Sequence, residues 1–434
     1  MLWLYRLLFL PTLLVFAPRY LLRMRKRGGY GENFGQRFGA HPRLGPKHQG
    51  RARVWLQAVS VGEMLAIGPI LEALHRDGTE VYLTTTTSTG YRLARERYAP
   101  WTIGIGYFPI DAWPFVARAW RRIEPDLVIL TEGERWPEHL HRAVLRGVPV
   151  MCVNARLSDR SFARMRRSRA AARLMLDGVT HVLPGSPEDE ARFLELGVPR
   201  VRVITTGNIK LDVDIPLLSP SELAELRRSV GLPEGEVLLG SSTWPGEEAA
   251  LIAALQRARG AGLRCSLLIV PRHAERRLEI ERELAAMGLR FHFRSRGVAG
   301  ESVDVAVADT TGELRRLTQL ADIVYVGKSL APHTEGQTPV EAAVLRKPIL
   351  FGPGMTNFRP IARDLLARGA ASEVKDQSEL GEKIEALLRD PEERARRAEA
   401  AAKWRAENVG AVSRTLAVIR AELSGLKRSP IDPM

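Results

Sequence analysis

The sequence predicts an α/β protein of two doubly wound, Rossmann-like parallel-sheet domains facing one another across a cleft, and three observations carry the prediction. From Arg53 onward, short aliphatic and β-branched runs alternate with longer amphipathic stretches, the pattern of parallel strands joined by crossover helices. The rhythm lapses once, where Gly, Asp and Pro gather between residues 207 and 220, and then starts again. At 434 residues the chain is also too long for one core, and two domains of roughly 150 to 220 residues are the natural division.

In the first half, strands are expected at residues 54–59, 80–85, 126–131, 148–153, 180–183 and 201–205. The second series reads 236–240, 264–270, 288–293, 303–308, 323–326 and 348–351. Residues 380–426, rich in Ala, Glu, Arg and Leu, should be helical, with Pro391 as an interruption, and such a helix could strap back across the first domain. The division is then a membrane anchor at 1–27, a first domain at 28–210, a second at 211–390, and a terminal helix and tail at 391–434.

The net charge of +14 is concentrated. Residues 1–50 hold nine Lys and Arg against the single Glu32, and residues 156–173 hold Arg156, Arg160, Arg164, Arg166, Arg167, Arg169 and Arg173 against Asp159. These clusters account for the whole excess, so two patches on an otherwise neutral protein face lipid headgroups, a phosphorylated substrate or nucleic acid. The plainer alternative is a solvated helix face. Nucleic acid is the weaker reading, resting on charge alone: residues 156–173 carry a single aromatic, Phe162, rather than the interleaved set that a base-stacking surface requires.

Residues 1–22 are rich in Leu, Phe and Trp but are broken by Arg6, Pro11 and Pro18. The remaining apolar run is shorter than the ~20 residues of a spanning helix, which favours a monotopic or marginal anchor, a helix associated with the membrane. The basic flank at 19–27 follows the apolar stretch and no small-residue cleavage site comes after it, which argues against a cleaved signal and keeps the body cytoplasmic. Cys152 and Cys265 each sit in an apolar run and are expected as buried thiols.

In open α/β sheets ligands bind at the carboxyl ends of strands, so the residues that follow each strand are the informative ones. Ser60-Val61-Gly62-Glu63 offers a glycine for close backbone approach and a carboxylate that is either a helix N-terminal charge partner or a catalytic group. Thr84 to Thr87, with Ser88 and Thr89, has more hydroxyls than helix capping needs. Thr131-Glu132-Gly133-Glu134-Arg135-Trp136-Pro137 puts two acids together, which is costly unless they are neutralised or used. In the second half, Gly240-Ser241-Ser242-Thr243-Trp244-Pro245-Gly246-Glu247-Glu248 offers hydroxyls and free amides at a helix start, a candidate phosphate seat. Arg272-His273, the turn around Gly312, and Lys328 running into Gln337-Thr338-Pro339-Val340-Glu341 follow later strands. Pro339 is expected just inside a helix start with outward amides, and Glu341 could accept ribose hydroxyls. No metal-ligand spacing, Walker loop or GxGxxG stands at a strand–helix junction.

With Asn33-Phe34-Gly35-Gln36-Arg37-Phe38-Gly39, Asn154-Ala155-Arg156-Leu157-Ser158 and Gly207-Asn208-Ile209-Lys210 added, these motifs fall in an order that resembles the 3-deoxy-D-manno-octulosonic acid (Kdo) transferases from Leu4 to about Lys375. The resemblance implies an inverting GT-B glycosyltransferase that needs no metal or other cofactor. It would work at the inner face of the cytoplasmic membrane, with CMP-Kdo as donor and a lipid A precursor as acceptor. It implies Glu63 as general base with Glu132 assisting, and Lys210 and Ser242 near the sugar carboxylate or the phosphate. Arg272 and Glu341 fall on the cytidine side, and Thr243, His273, Gly312, Gln337 and Thr338 complete the donor site. Ser60, Gly62, Thr86, Arg156, Arg160, Arg166 and Arg167 face the acceptor and membrane. The chain departs from the family pattern at Gly133, Arg135, Lys328, Gln337-Thr338 and Ala342. Two alternatives stay open: transfer of another nucleotide-activated sugar to a glycolipid, or a non-catalytic membrane-surface protein of the same fold.

Overall fold

The structure, a computed structural model, describes residues 1–27 and 32–428. It divides into two compact units, one formed by residues 1–212 with 410–434 and the other by residues 213–409.

The first unit is built on strands β1 (Arg53–Gln57), β2 (Glu80–Thr85), β3 (Gly104–Tyr107), β4 (Leu127–Thr131), β5 (Val150–Ala155) and β6 (His181–Pro184). All pair in parallel in the order β3-β2-β1-β4-β5-β6. Strands β1, β2, β4 and β5 are buried along their length and carry mostly apolar residues, because a sheet covered on both faces leaves little room for polar ones. On one face Trp55 of β1 packs with Trp120 and Phe193, and the other face packs against Leu71, Leu74 and the carboxyl-terminal helix.

The second unit has strands β7 (Glu236–Thr243), β8 (Cys265–Pro271), β9 (Phe291–Phe293), β10 (Val305–Val307), β11 (Ile323–Val326), β12 (Ile349–Phe351) and β13 (Ala371–Glu373), in the order β13-β12-β11-β7-β8-β10-β9. Both sheets therefore have the doubly wound order, reversing direction of growth between β1 and β4 in one and between β7 and β11 in the other.

Three expectations need correction. No strand forms at 201–205: residues Arg200–Arg202 make a 3-10 turn after Pro199, and only Val203 bridges to Val182 before the chain leaves the sheet. Strand β3 was not anticipated because it is marked by glycine rather than by β-branched residues. The Tyr82 ring lies across it, and a Cβ at Gly104 would come within 2.7 Å of that ring. Strand β13 was likewise not anticipated, being a three-residue edge with little apolar signal.

At the amino terminus a single helix, Leu2–Arg27, carries Pro11 and Pro18 inside it, so neither proline breaks the element. Its Arg6 makes a two-pronged ion pair at 2.9 Å with the buried Glu138, and its Tyr5 hydroxyl donates to Asp111 at 2.7 Å. Burial pushes the Asp111 carboxyl up to about 6. Opposite this polar clamp, Trp3, Leu4, Leu7, Leu8, Val15 and Leu22 are exposed. Among the described residues no helix is long and apolar enough to cross a membrane. The side chains of Arg19, Arg23, Arg25, Lys26 and Arg27, on which the expected basic flank rests, lie outside the described residues, as does the position 28 boundary.

At the other end, Pro391 opens a helix (Pro391–Asn408) rather than interrupting one, with Asp390 capping it. After Gly410 the last helix, Ala411–Arg428, joins the first unit: Asp212 accepts from the amides of Gly410 and Val412, and Leu416, Ile419 and Leu423 enter the core. Cys152 and Cys265 are buried free thiols.

Candidate functional site

Each unit places a glutamate from the helix after its first strand at the point where the sheet reverses, and the two glutamates are used differently. In the first unit the helix Val61–Ala66 is capped by Ser60, whose hydroxyl accepts from the Glu63 amide. The Glu63 carboxylate receives the Ser60 hydroxyl at 2.9 Å, the Val59 amide at 3.1 Å and, from the end of β4, the Thr131 hydroxyl at 2.7 Å. A carboxylate has about four acceptor positions. Three are filled by neutral donors that fix its orientation, no cation pairs with it among the described residues, and it retains an opening to solvent at 8% exposure. Gly62 faces nothing nearer than Ser60 Oγ at 3.9 Å, so the fold itself does not require glycine there.

The acidic turn after β4 resolves the problem posed by its two carboxylates. Glu132 adopts a left-handed conformation (φ 50°), is paired with Lys210 and accepts from the Asn154 amide at 3.4 Å. Arg135, buried against Phe193, donates to the carbonyls of Glu132 and Arg156 and so holds the turn. Glu134 has no such neutralisation. Burial lifts its carboxyl above the ordinary range and the charges of Glu63 and Glu132 add to the rise, against the Trp136 indole N–H at 2.8 Å and Arg135. A carboxyl held more protonated in the folded protein than in the unfolded chain contributes stability below its unfolded pKa and loses it as pH rises through the folded value. Glu134→Gln is therefore expected to raise Tm at pH 7 by about 2 °C, with no gain at pH 4, as differential scanning calorimetry at the two pH values will show.

The hydroxyl-rich turn is largely consumed internally. Thr84 lies between the Trp55 indole and Gln57, and Thr85 and Thr87 both donate to the Val59 carbonyl, so the excess hydroxyls hold the β1 and β2 ends together. The Thr86 carbonyl accepts from Arg37, while its hydroxyl has no partner among the described residues. Arg156, Arg160, Arg166 and Arg167 are exposed on or beside the helix Asp159–Arg167, and among the described residues Arg166 alone of the four makes an ion pair, with Glu195 at 3.5 Å.

In the second unit Glu247, at the start of the helix Glu247–Gly260, is 2% exposed and accepts five donors. These are the amide of Trp244 from the β7 end, the amides of Lys328, Ser329 and Leu330 from the β11 end, and the Tyr325 hydroxyl. The carboxylate thus rivets together the loops on both sides of the reversal point. They approach so closely that a Cβ at Gly327 would lie 2.5 Å from the Ser242 carbonyl. Glu248, fully buried, takes the Thr243 hydroxyl at 2.7 Å and Arg276 at 2.6 Å. Thr243 is therefore a structural partner inside this unit, whereas Ser242 (φ 55°) lies at the end of the strand.

Around these loops, His273 meets the Trp244 ring edge-on at 5.0 Å, and the Arg272 side chain is exposed with no ion-pair partner among the described residues. Gly312 is left-handed (φ 89°) with open space where a side chain would be. Gln337 donates its amide to the Gly327 carbonyl. Pro339 precedes the five-residue helix Val340–Val344 rather than lying inside it, and the Val340 amide is capped by Thr338. Glu341 accepts from Thr338 at 3.2 Å and lies 3.7 Å from Arg315. Among the described residues, no group of three or more His, Cys, Asp or Glu could hold a metal ion.

Of the anticipated residues, Glu63 and Ser60 meet at one reversal point, with Glu132 and Lys210 paired in the same unit. Ser242, Thr243, His273 and Gln337 belong to the loops around the other. Glu247, Thr131 and Asn154 stand inside motifs visible in the sequence, but the sequence assigns them no role; the structure does. Glu247 is visible as an acid at a helix start, but four of its five partners lie 78 to 83 residues further along the chain.

Residues 32–213 match the family model described as 3-deoxy-D-manno-octulosonic-acid transferase (kdotransferase). The chain is 36% identical over 405 residues to a 3-deoxy-D-manno-octulosonic acid transferase of Bordetella pertussis, covering 91% of this chain and 93% of that one. It is 29% identical over 418 residues to the enzyme of that name from Haemophilus influenzae, covering 95% and 94%. Among solved structures, it is similar to the UDP-GlcNAc 2-epimerase of Neisseria meningitidis (TM-score 0.57, 15% identity, 86% of this chain and 100% of that one). A glycosyltransferase from Rickettsia africae gives a TM-score of 0.55 at 12% identity, over 88% of this chain and 100% of that one. At such identities the likeness is one of fold, the GT-B architecture of two Rossmann-like domains.

Proposed function

Since this chain belongs to the 3-deoxy-D-manno-octulosonic acid transferase family, we propose that it moves Kdo from CMP-Kdo to a lipid A precursor, with inversion, and that Glu63 is the general base. The observation that carries the assignment is the Glu63 carboxylate, oriented by three neutral donors and left with an unfilled acceptor position. That position suits an acceptor hydroxyl, whose proton Glu63 takes as the oxygen attacks the anomeric carbon and the C–O bond to CMP breaks. Glu132, neutralised by Lys210, orients the acceptor without adding net charge beside the base. The donor belongs to the second unit, whose strand-end loops at the reversal point offer the crevice in which doubly wound sheets bind nucleotides.

The acceptor is a phosphorylated lipid, and two surface features of the first unit suit it. The exposed apolar stripe of the helix Leu2–Arg27 is of the kind that lies in a membrane interface, and the exposed arginines of the helix Asp159–Arg167 suit anionic headgroups or lipid phosphates. The reaction is proposed at the cytoplasmic face of the inner membrane, where a lipid acceptor and these two surfaces would meet. The test is transfer of Kdo from CMP-Kdo to a tetra-acylated lipid A precursor presented in anionic vesicles. Product is expected, at a rate that falls as salt screens the arginines. No product, with turnover of a different nucleotide sugar, would overturn the donor assignment, and salt-independent transfer would overturn the role of the basic patch.

A further inference from the structure

Lys328 lies at the end of β11, where the second sheet reverses, in a left-handed backbone conformation (φ 58°). That conformation is unfavourable for a residue with a Cβ. It is kept because the Glu247 carboxylate takes the Lys328 amide at 2.7 Å, and such a cost at a strand end is the mark of a side chain held for use. The side chain is not loose. Its ammonium sits 4.1 Å from the centre of the Trp244 ring, which follows β7 across the reversal point, and the indole is buttressed by His273 at 5.0 Å and His333 at 5.8 Å. Among the described residues, the one acid paired with the ammonium is Glu335 at 3.2 Å, itself 46% exposed. An exposed pair of this kind is worth little and is readily exchanged for a better anion. The first unit has the opposite charge in the comparable place: Glu132, left-handed, after β4.

We propose that Lys328, held over Trp244, is a donor-binding residue that engages an anionic oxygen group of the sugar nucleotide, exchanging Glu335 for it. The inference rests on the second unit's being the donor site. Two groups of such a donor share this chemistry, the phosphate and the sugar carboxylate. Trp244 fixes the ammonium through its ring face, so that the cation is present before the ligand arrives.

The experiment is calorimetric titration of the full chain with CMP and with cytidine, together with the KM for CMP-Kdo, for the wild type, Lys328→Met and Lys328→Arg. If Lys328 holds the phosphate, Lys328→Met weakens CMP binding about tenfold or more, leaves cytidine binding unchanged, and Lys328→Arg restores most of the loss. If it holds the sugar carboxylate, CMP binding is unchanged and the KM for CMP-Kdo rises by a similar factor. Equal CMP affinity and equal CMP-Kdo KM in wild type and Lys328→Met would overturn the inference alone. Failure of the wild type to bind CMP at all would overturn the donor reading beneath it. Thermal melts within about 2 °C of the wild type show that the Met variant has kept its fold.

Discussion

Glu63→Gln is expected to lower kcat by about 10² to 10⁴-fold while leaving CMP affinity unchanged, because it removes the proton acceptor and little else. The glutamine can keep the local hydrogen bonds. Its carbonyl oxygen takes the place of Oε2, which accepts from the Val59 amide and Thr131, and its amide faces Ser60, whose hydroxyl can turn to accept. The fold is therefore preserved and the change is chemical. Initial rates at saturating donor and acceptor, with CMP titrations alongside, check it. Turnover within about threefold of wild type would remove Glu63 from the role of base and shift attention to Glu134, whose carboxyl feels the charge of Glu63 and is held more protonated than usual.

Glu247→Ala has the opposite signature, a loss of structure with catalysis lost as a consequence. The substitution leaves four backbone amides and the Tyr325 hydroxyl without their acceptor in a buried region, and each orphaned donor costs about 1–3 kcal/mol. The expected destabilisation exceeds about 5 kcal/mol, which is rare for a point change and places it among breaks of buried networks. Glu247→Gln should lie between, since one carbonyl oxygen remains while an NH₂ group is turned toward donors. Urea denaturation monitored through tryptophan fluorescence measures both. A Glu247→Ala variant within about 1 kcal/mol of wild type would show that the loops after β7 and β11 are held by something other than this carboxylate. The two variants also separate the units: Glu63→Gln leaves CMP binding intact, and Glu247→Ala abolishes it.

The two glutamates differ in how much of their surroundings is local in the chain. Ser60 and Glu63 stand three residues apart, and the cap that joins them is a local motif, so their proximity could be read from the chain. Glu247 stands in a comparable motif, yet its importance comes from amides on a strand that follows it by some eighty residues. The acidic turn shows the same limit. That two carboxylates side by side need neutralising was evident, but which one receives the cation depends on Lys210, brought to Glu132 by the return of the chain along the β6 edge.

The sequence by itself determined the parallel, twice-repeated α/β architecture. Buried strands and amphipathic helices are specified by side-chain periodicity, which is a property of neighbours along the chain. It also marked the strand ends as candidate sites, because their polar residues interrupt that periodicity. Only the tertiary structure decided that Gly104 and Gly106 form a strand under Tyr82, that residues 201–205 do not, and that hydroxyls after β2 serve β1 rather than a ligand. It alone distinguished a glutamate with an acceptor position left open from one whose carboxylate is filled by the fold. The physical reason is common to all of these: hydrogen-bond satisfaction and close packing depend on which atoms meet in space, and that is decided by strand order.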